Sequence, residues 1–582
     1  MGEYMKRSRG NQTNGISRRG FLKAATVSTA ATIAAASPKA GFGLAENTAS
    51  RDAARNWKTP PDPIPDAKIV KRIDVDVVIL GGGAAGVAAA RSAAETGASV
   101  AVVEKQSEDK YSFIGNELGT VNPKFSLEAG IEPIDPHEFF DQWQRRMGNR
   151  TNPLLVKQYV YQSGAACDWL MDLIPADLKK SPLVYGLPSP KHYAGSINGF
   201  KSWGGTVMFY GKGLSWTDAM KLVAAKAKSM GAVFYFGTSA QQIVKAGNRV
   251  TGAIGKDEKG NYIKFAAKKG VLLACGDFSR NKEMIADLLS EHLDFREQMK
   301  NFRGAGRDGD GQKMGVWAGG RMERGPLAMM NVIDMVVLAG ALGKTAFLRM
   351  NREGKRYTNE ASWASIAQGF RQPKGILCAV WDANWREELE YQSLDHGNVD
   401  LRPKTLDRLE KEFNALIGTG AKGGMVRGTV GSEDAGMPSK HYCANTLEEL
   451  ADYLGYKGEA KNNFLSTVER YNQLAQKGVD EDFCKDSSLM HPIVKPPFFA
   501  SISSTDGMPS GAMVTLAGLA IDENQKVLDE NDDPIPGLFA TGNCSGGRYS
   551  VDYITPITGN SLGWAFTMGR IAGKYIAESS LE

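Results

Sequence analysis

Cysteines are few in this sequence, and none is placed for a metal or haem site. The six cysteines lie far apart along 582 residues, and no CxxC, CxxCH or Cys/His cluster occurs. Structural zinc, iron–sulfur clusters and attached haem are usually held by such clusters. We therefore expect no metal site, and the spacing assigns no disulfide pairs.

Outside its N-terminus the sequence also lacks an excess of basic residues. The formal net charge is +5, but residues 1–45 hold seven basic residues against Glu3, a net +6, which leaves −1 for residues 46–582. Proteins that bind DNA or RNA neutralise phosphates with clustered lysine and arginine. We therefore expect no nucleic-acid partner.

The N-terminal apolar run is too short to form a stable membrane span. Ala24–Ala36 has 13 mostly small residues, too few to cross about 30 Å of hydrocarbon. It follows SRRGFLK, whose paired arginines are typical of a twin-arginine export signal. We predict that residues 1–45 form this signal, cleaved after Ala36 or Ala45, and that the protein is exported to the periplasm or the cell-envelope exterior. This route carries folded proteins, which suits a chain that takes up a cofactor before export.

Residues 73–104 follow the order strand, glycine turn, helix, strand, acid. Ile73–Leu80 is a continuous apolar, β-branched run, as expected for a strand buried on both faces. A helix of small residues runs from the glycine turn to about Thr96, and Ser99–Val103 forms a second strand. This order predicts the first half of a dinucleotide-binding unit.

The glycines and the acid of this unit have separate tasks. Gly81 allows the tight turn, Gly83 lets the backbone approach a pyrophosphate, and Gly86 lets the helix pack on the sheet. The helix N-terminus then faces the phosphates with free N–H groups. Glu104, 23 residues after Gly81, is placed to bind a ribose hydroxyl. We assign Gly81, Gly83, Ala85, Gly86 and Glu104 to the cofactor.

Two later segments favour FAD over NAD. KKGVLLACGD, residues 268–277, resembles a strand that returns to the sheet, and GLFATGNCSGG, residues 537–547, resembles the last strand of an FAD-binding domain. Charged helices such as Leu401–Phe413 and Thr446–Ala475 lie between them. The fold class is therefore α/β, a Rossmann-like FAD-binding domain interrupted by an inserted α+β capping domain. We expect a signal at 1–45, a proline-rich linker at 46–72, FAD-binding domain at 73–320 and 501–582, and the cap at 321–500.

From residue 73 onward the chain resembles the flavoprotein subunits of the fumarate reductase and succinate dehydrogenase family, which also holds urocanate reductases and 3-ketosteroid dehydrogenases. The resemblance lies in the GGGAAG turn with Glu104 and in four further motifs in the same order. These are GDGQKMGVWAGG (309–320), NREGKRYTNE (351–360), PIPGLFATGNCSGG (534–547) and GNSLGWAFTMGRIAGKY (559–575).

The resemblance implies bound FAD, a mobile cap over the substrate, and hydride transfer between the flavin and a carbon–carbon double bond. It also implies cofactor roles for further positions. These are Asn116 and Gly119 near the phosphates and flavin, Asp310 at the ribitol side, Asn543 near the ribityl chain, and Ser561 and Leu562 at the pyrimidine edge of the ring.

The chain departs from the family at the residues that hold a dicarboxylate. The proton-donating arginine is replaced by Ala364, the two histidines correspond to Asn331 and Val514, and the second clamping arginine falls at Pro556 or Ile557. Without cationic partners, two carboxylates would be desolvated at a large cost. We therefore do not expect fumarate or succinate as the substrate, although Arg371 is a possible replacement if the loop runs differently.

The segment RYSVDY, Arg548–Tyr553, makes this loop three residues longer than in the fumarate reductase pattern. A tyrosine can donate a proton while the flavin delivers hydride, and by analogy with steroid-active members we assign this role to Tyr553, with Tyr549 second. Asp552 is a candidate to orient the loop, and Arg548 to hold a single carboxylate. The alternative is that the tyrosines only pack and that Arg548 and Asp552 form a loop salt bridge.

The resulting functional hypothesis is an exported FAD-dependent reductase of an activated double bond, in an enone or an aryl-acrylate. Because the sequence has no haem motif or second flavin motif, we expect electrons from a separate cytochrome or quinol-linked protein. Two rivals stay open: a 3-ketosteroid dehydrogenase-like desaturase, and a flavoprotein that only relays electrons.

Overall fold

The computed structural model describes most of the chain after the N-terminal segment. The described residues are 56–580 apart from 193–195, 198, 212, 290–302, 305–306, 329–339, 344, 362–367, 370, 395–398, 429–437, 505–510, 513 and 551–552. The predicted signal at 1–45 lies outside them.

The larger sheet is built around one strand whose C-terminal half is fully apolar. Val77, Val78, Ile79 and Leu80 are completely buried, as expected for a strand covered on both faces. The strands in sheet order are Val233–Tyr235, Val100–Val103, Ile69–Leu80, Tyr262–Leu273, Arg249–Lys256 and Ser239–Ala246, and Pro534–Ala540 adds to Tyr262–Leu273 and pairs with Lys526–Leu528. The first four strands are parallel, so their carboxyl ends lie at the same edge of the sheet, beside the glycine turn.

Two helices pack tightly on this sheet through small residues. We call Ala84–Glu95 the dinucleotide helix and Asn560–Glu578 the C-terminal helix. A Cβ added at Gly569 would lie 2.2 Å from the Ala85 carbonyl oxygen, and one at Gly573 would lie 2.2 Å from that of Ala89. The glycines therefore let the two helix backbones touch, which places the start of the C-terminal helix beside the glycine turn.

The capping segment has its own sheet and core. Its strands in sheet order are Leu348–Met350, Ile376–Trp381, Phe498–Ser504, Pro438–Ala444 and Gly424–Arg427, all antiparallel. The helices Trp385–Glu388, Pro403–Asn414, Leu447–Leu454 and Glu459–Lys477 accompany it. Thr446 and Glu449 form a capping box that starts one of these helices.

The NREGKRYTNE motif supplies a buried ion cluster to this cap. Arg356 donates to both carboxylates, with 2.8 Å from Nη2 to Glu360 Oε2 and 2.8 Å from Nη2 to Asp480 Oδ2, and all three side chains are at most 5% exposed. Lys485 Nζ lies 3.5 Å from Glu360 Oε2. The motif thus joins two distant parts of the cap through charges that depend on one another.

His441 is a second buried polar group in the cap. Its Nε2 accepts from the Ala341 N–H at 3.2 Å, so the proton lies on Nδ1, which donates to the Ser439 carbonyl at 2.9 Å. Burial lowers the pKa of His441 to about 4. The fold therefore requires the neutral ring.

Further helices surround the FAD-binding part. Their bounds are Lys124–Glu128, Pro136–Arg146, Pro153–Met171, Trp216–Ser229, Lys282–Leu288 and Asp310–Trp317. Short sheets of two or three strands are formed by Glu117–Leu118, Leu183–Val184, Ser196–Ile197, Phe200–Lys201, Val207–Met208, Tyr210–Gly211, Leu214–Ser215, Arg303–Gly304 and Gly511–Ala512. Over the part of the chain with described coordinates, no helix is long and apolar enough to span a membrane. The same part holds no group of three or more metal-ligating side chains.

Candidate active site

The glycine turn forms a cradle in front of the dinucleotide helix. Gly81 has φ of +101°, a conformation that favours glycine. A Cβ at Gly86 would lie 1.9 Å from the Gly81 carbonyl oxygen, whereas a Cβ at Gly83 would meet no atom within 4 Å. Gly86 is thus needed for packing, and Gly83 borders open space at the helix N-terminus, where the N–H groups favour an anion.

Glu104 holds this turn from the end of the neighbouring strand. Its Oε2 accepts from the Gly82 N–H at 2.7 Å and its Oε1 from the Gln106 N–H at 2.8 Å. The Tyr111 hydroxyl donates to the Gly82 carbonyl. A carboxylate has further lone pairs, so Glu104 can hold the turn and still accept from a ribose hydroxyl.

Asp310 lies on the same side of the site as Glu104. It begins a helix, and its carboxylate is 3.8 Å from Lys105 Nζ and 2.9 Å from Lys313 Nζ. Because Lys105 directly follows Glu104, this contact places the predicted cofactor residue Asp310 near the predicted ribose-binding residue. Asp310 is only partly buried.

Asn543 links the cradle to the loop of tyrosines. The Gln312 side chain donates to the Asn543 carbonyl at 2.9 Å, and the Arg548 guanidinium donates to Asn543 Oδ1. A Cβ at the preceding Gly542 would lie 3.0 Å from the Ala85 Cβ. Asn543 therefore lies between the dinucleotide helix and Arg548, as expected for a residue beside the middle of a dinucleotide.

The segment Asn116–Gly119 packs against the start of the C-terminal helix. The Gly119 N–H donates to the Gly559 carbonyl at 3.0 Å, and a Cβ at Gly119 would lie 2.1 Å from the Thr558 carbonyl oxygen. A Cβ at Gly115 would lie 2.3 Å from Leu562. Gly119 and Leu562, both assigned to the flavin, therefore lie close together although they are distant in the sequence. The Asn116 side chain is exposed.

The predicted catalytic loop turns inward. Arg548, Tyr549 and Tyr553 are at most 3% exposed. The Tyr549 hydroxyl donates to Asn560 Oδ1, and Tyr553 Oη accepts from the Ser561 N–H at 3.4 Å. Both phenols therefore lie at the first turn of the C-terminal helix. Asp552, the fourth predicted member, lies outside the described residues.

The helix Pro136–Arg146 of the FAD-binding part holds this loop. The Trp143 indole donates to the Arg548 carbonyl at 2.9 Å and stacks on Tyr549 with 6.0 Å between ring centroids. The Ser550 hydroxyl donates to the Met147 carbonyl at 2.6 Å. No sequence motif marked Trp143, because its contact lies 405 residues away along the chain.

Burial sets the protonation of the site. It raises the pKa of Tyr549 and of Tyr553, which stay neutral phenols at physiological pH. It lowers the pKa of Arg548, whose neighbouring Tyr549 and Glu323 act in the opposite direction. Arginine nonetheless stays charged in proteins, so the site contains one fully buried cation.

Unpartnered polar atoms mark the region that fits FAD. Among the described residues, buried atoms without a hydrogen-bond partner include Gln312 Oε1, Thr558 Oγ1 and Asn560 Nδ2. Buried polar atoms normally have partners. These atoms lie beside the residues assigned to the ribityl chain and ring, while the open cradle at Gly83 suits the pyrophosphate, so the residues present fit FAD.

The dicarboxylate positions provide no cation. Val514 is half-buried, and Pro556 and Ile557 are buried, with the Pro556 carbonyl accepting from the Trp203 N–H at 2.9 Å. Arg371, the possible replacement, is exposed. Ala364 and Asn331 lie outside the described residues.

Glu323 was missed by sequence reasoning. It accepts from the Gly547 N–H at 2.7 Å and from the Gly518 N–H at 2.9 Å. Burial raises its pKa to about 7, although these bonds and Arg548 act in the opposite direction. It belongs to no motif, and both contacts join segments about 200 residues apart.

Comparisons with known proteins agree with this geometry. Residues 76–562 match the family model described as FAD binding domain. The chain is 23% identical to the vinyl phenol reductase of Lactiplantibacillus plantarum, over 88% of this chain and 98% of the relative. It is 26% identical to the digoxin reductase of Eggerthella lenta, over 97% of each chain.

Among solved structures, a similar one is the 3-ketosteroid Δ4-(5α)-dehydrogenase of Rhodococcus jostii, in complex with 4-androstene-3,17-dione. The TM-score is 0.62 at 22% identity, covering 89% of this chain and 100% of the other. The expected fold class, cofactor and enzyme class are therefore confirmed. The chain belongs to the FAD binding domain family of flavoproteins and is an FAD-dependent oxidoreductase.

Proposed function

We propose that this protein is an exported FAD-dependent reductase of an activated carbon–carbon double bond, in an enone or an aryl-acrylate, with a tyrosine as proton donor. One observation carries the proposal. The hydroxyl groups of Tyr549 and Tyr553 are buried at the first turn of the C-terminal helix, where they contact Asn560 and Ser561. Ser561 is a residue that the family resemblance assigns to the flavin ring.

The reaction needs a hydride and a proton. FAD, when bound and reduced, supplies the hydride to one carbon of the double bond. The other carbon takes a proton, and a buried neutral phenol still carries one at physiological pH. The phenol then recovers a proton from water, so the products are the saturated compound and oxidised cofactor.

Of the two phenols, we assign the proton transfer to Tyr553. The Ser561 N–H donates to the Tyr553 oxygen, which places this phenol next to a residue that the family resemblance assigns to the flavin ring, whereas the Tyr549 hydroxyl donates to Asn560. The two rings meet edge to face at 5.3 Å between centroids. Tyr549 therefore positions Tyr553 as well as filling space.

The substrate class follows from what the site contains and lacks. The described dicarboxylate positions hold Val514, Pro556 and Ile557, so two carboxylates would find no cationic partners there. Relatives named for reduction of vinyl phenol and of digoxin support an unsaturated substrate other than fumarate. We infer that electrons arrive from a separate cytochrome or quinol-linked protein, and that residues 1–45 direct export by the twin-arginine route to the periplasm or the cell-envelope exterior.

The test is an anaerobic reoxidation assay. The purified holoenzyme is reduced, enones and aryl-acrylates are added one at a time, and the return of flavin absorbance is followed, with fumarate as the negative control. Reoxidation by at least one of these compounds and not by fumarate is expected. Reoxidation by none of them, together with desaturation of a saturated ketone by an artificial acceptor, would assign the reverse direction. Failure in both directions would leave electron relay as the function.

A further inference from the structure

Glu323 lies near the start of the capping segment and contacts the loop that carries the tyrosines. Its N–H donates to the Gly518 carbonyl at 2.9 Å, its Oε1 accepts from the Gly518 N–H at 2.9 Å, and its Oε2 accepts from the Gly547 N–H at 2.7 Å. A Cβ at Gly546 would lie 2.3 Å from the Glu323 carboxyl carbon. Glu323 thus fixes the turn directly before Arg548.

The cation after this turn is buried and only partly hydrogen-bonded. Arg548 has no exposed surface, and its Nε and Nη1 have no partner in the part of the chain that the structure describes. Two of its N–H-bearing nitrogens are therefore available to an oxygen acceptor of a ligand. A buried arginine of this kind is an unusual feature that calls for a bound group.

The charges around Arg548 are balanced within the protein. Among the described residues, the carboxyl groups that face it are Glu323 and Asp277, and the other ionisable neighbours are the neutral phenols of Tyr549 and Tyr553. Asp277 accepts from the Arg307 N–H at 3.0 Å and faces the Arg307 guanidinium.

On its other side Glu323 faces Arg321, which is itself bound to Asp532. Each described cation near the site therefore already has a carboxylate. An incoming anion would bring a surplus negative charge into a buried place, which is costly without a partner.

We propose that Glu323 is a positioning residue for the reaction, which holds the turn before Arg548 and compensates its charge, so that the site accepts an uncharged enone in preference to a carboxylate. This rests on the proposed function and selects one of its two substrate classes. The carbonyl oxygen of an enone accepts from the unpartnered N–H groups of Arg548 and brings no net charge. Charge that develops on that oxygen during reduction is stabilised by the same groups.

The preference should depend on pH in one direction. Because the pKa of Glu323 is raised to about 7, its carboxylate compensates Arg548 above that pH and is protonated below it. As the pH falls through about 7, the charge of Arg548 becomes available to an anion. We therefore expect discrimination against a carboxylic acid to be strongest above pH 7 and to weaken below it.

The experiment compares matched pairs of compounds in the anaerobic assay, starting with benzylideneacetone and cinnamate, which share the styryl group and differ in carrying a methyl ketone or a carboxylate. Holoenzymes carrying Glu323→Gln and Glu323→Asp are measured from pH 6 to 8.5 beside the wild type. Asp407→Asn is the control, because Asp407 forms an exposed ion pair with Arg386 in the cap. The FAD content of every variant is measured. If Glu323→Gln does not retain FAD, the comparison is made with Glu323→Asp instead.

For the wild type above pH 7, we expect the reoxidation rate constant divided by the half-saturating concentration to be about tenfold or more higher for the enone than for the acid. Glu323→Gln should lower the enone rate, lower the half-saturating concentration of the acid and remove the pH dependence, whereas Asp407→Asn should change none of these. Glu323→Asp should keep the titration. A loss confined to stability would not move the ratio of acid to enone.

Three results would overturn the inference. If the wild type reduces the acid as well as the enone, or if Glu323→Gln keeps the wild-type ratio and pH profile, the inference is wrong and the proposed function stands. If neither member of any pair reoxidises the flavin, the proposed function itself fails, and the inference fails with it.

Discussion

The glycine turn provides a matched pair of substitutions, Gly83→Ala and Gly86→Ala, that separates folding from cofactor binding. At Gly83 the backbone is extended, with φ of −67° and ψ of −174°, and the added methyl meets no protein atom within 4 Å. Gly83→Ala should therefore leave the apoprotein as stable as the wild type, or about 0.4–1 kcal/mol more stable because the unfolded chain loses freedom. The methyl instead enters the space where the pyrophosphate is expected.

At Gly86 the result should be the reverse. The added carbon would lie 1.9 Å from the Gly81 carbonyl oxygen, over 1 Å inside the shortest ordinary contact. The turn or the helix must move, and overpacking of this kind typically costs about 1–3 kcal/mol. Gly86→Ala should thus destabilise the apoprotein and weaken FAD binding together.

Two measurements check this pair. Urea unfolding of the FAD-free proteins gives stability, and fluorescence titration with FAD gives the dissociation constant. We expect Gly83→Ala to raise the dissociation constant at least tenfold, about 1.4 kcal/mol, at unchanged urea midpoint. If Gly83→Ala binds FAD as tightly as the wild type does, the pyrophosphate does not lie at this turn.

Two further predictions concern the cap. The fold holds His441 neutral and lowers its pKa to about 4. This group should therefore cost the wild type about 3 kcal/mol of unfolding free energy as the pH falls from 6.5 to 4. Urea unfolding of His441→Gln should show a smaller loss over the same pH range, and an equal loss in the two proteins would contradict the assignment. Arg356→Met leaves the Glu360 and Asp480 carboxylates buried without their main partner and should cost about 3–5 kcal/mol, while Arg470→Met, at a half-exposed ion pair, should cost at most about 1 kcal/mol. Similar urea midpoints for the two arginine variants would refute this reasoning.

The parts of the fold that are encoded locally could be predicted from the sequence. The β-branched run before the glycine turn predicts a strand at Ile73–Leu80, and the structure has one at Ile69–Leu80. The small residues of the motif GNSLGWAFTMGRIAGKY are typical of a closely packed helix, and the structure has one at Asn560–Glu578. Such elements follow from residue type and spacing within a short window, so only their ends differ.

Contacts between distant segments could not be predicted. The expected continuous helix over Thr446–Ala475 is broken at Gly455 and Gly458, which have positive φ, because the chain turns back onto the cap sheet. The motif containing Arg356 was visible only as a family marker, and its role depends on Asp480, 124 residues later. Strand order in the cap is likewise set by tertiary pairing.

The candidate site divides in the same way. Its glycines, Glu104 and the tyrosine loop have local signatures or a place in the family pattern. Asn560 as the partner of Tyr549, Trp143 as the support of the loop and Glu323 as the partner of Arg548 become visible only when the chain is folded. These are polar contacts across hundreds of residues, for which composition and spacing carry no signal.

The most direct test of the catalytic proposal is a single-turnover comparison of wild type and Tyr553→Phe. Each holoenzyme is reduced anaerobically and mixed with the best enone acceptor, and the rate of flavin reoxidation is measured at saturating acceptor. Loss of a general acid should lower this rate about 10²- to 10⁴-fold, with FAD content and acceptor affinity close to those of the wild type. An unchanged rate in Tyr553→Phe would show that the proton comes from another group.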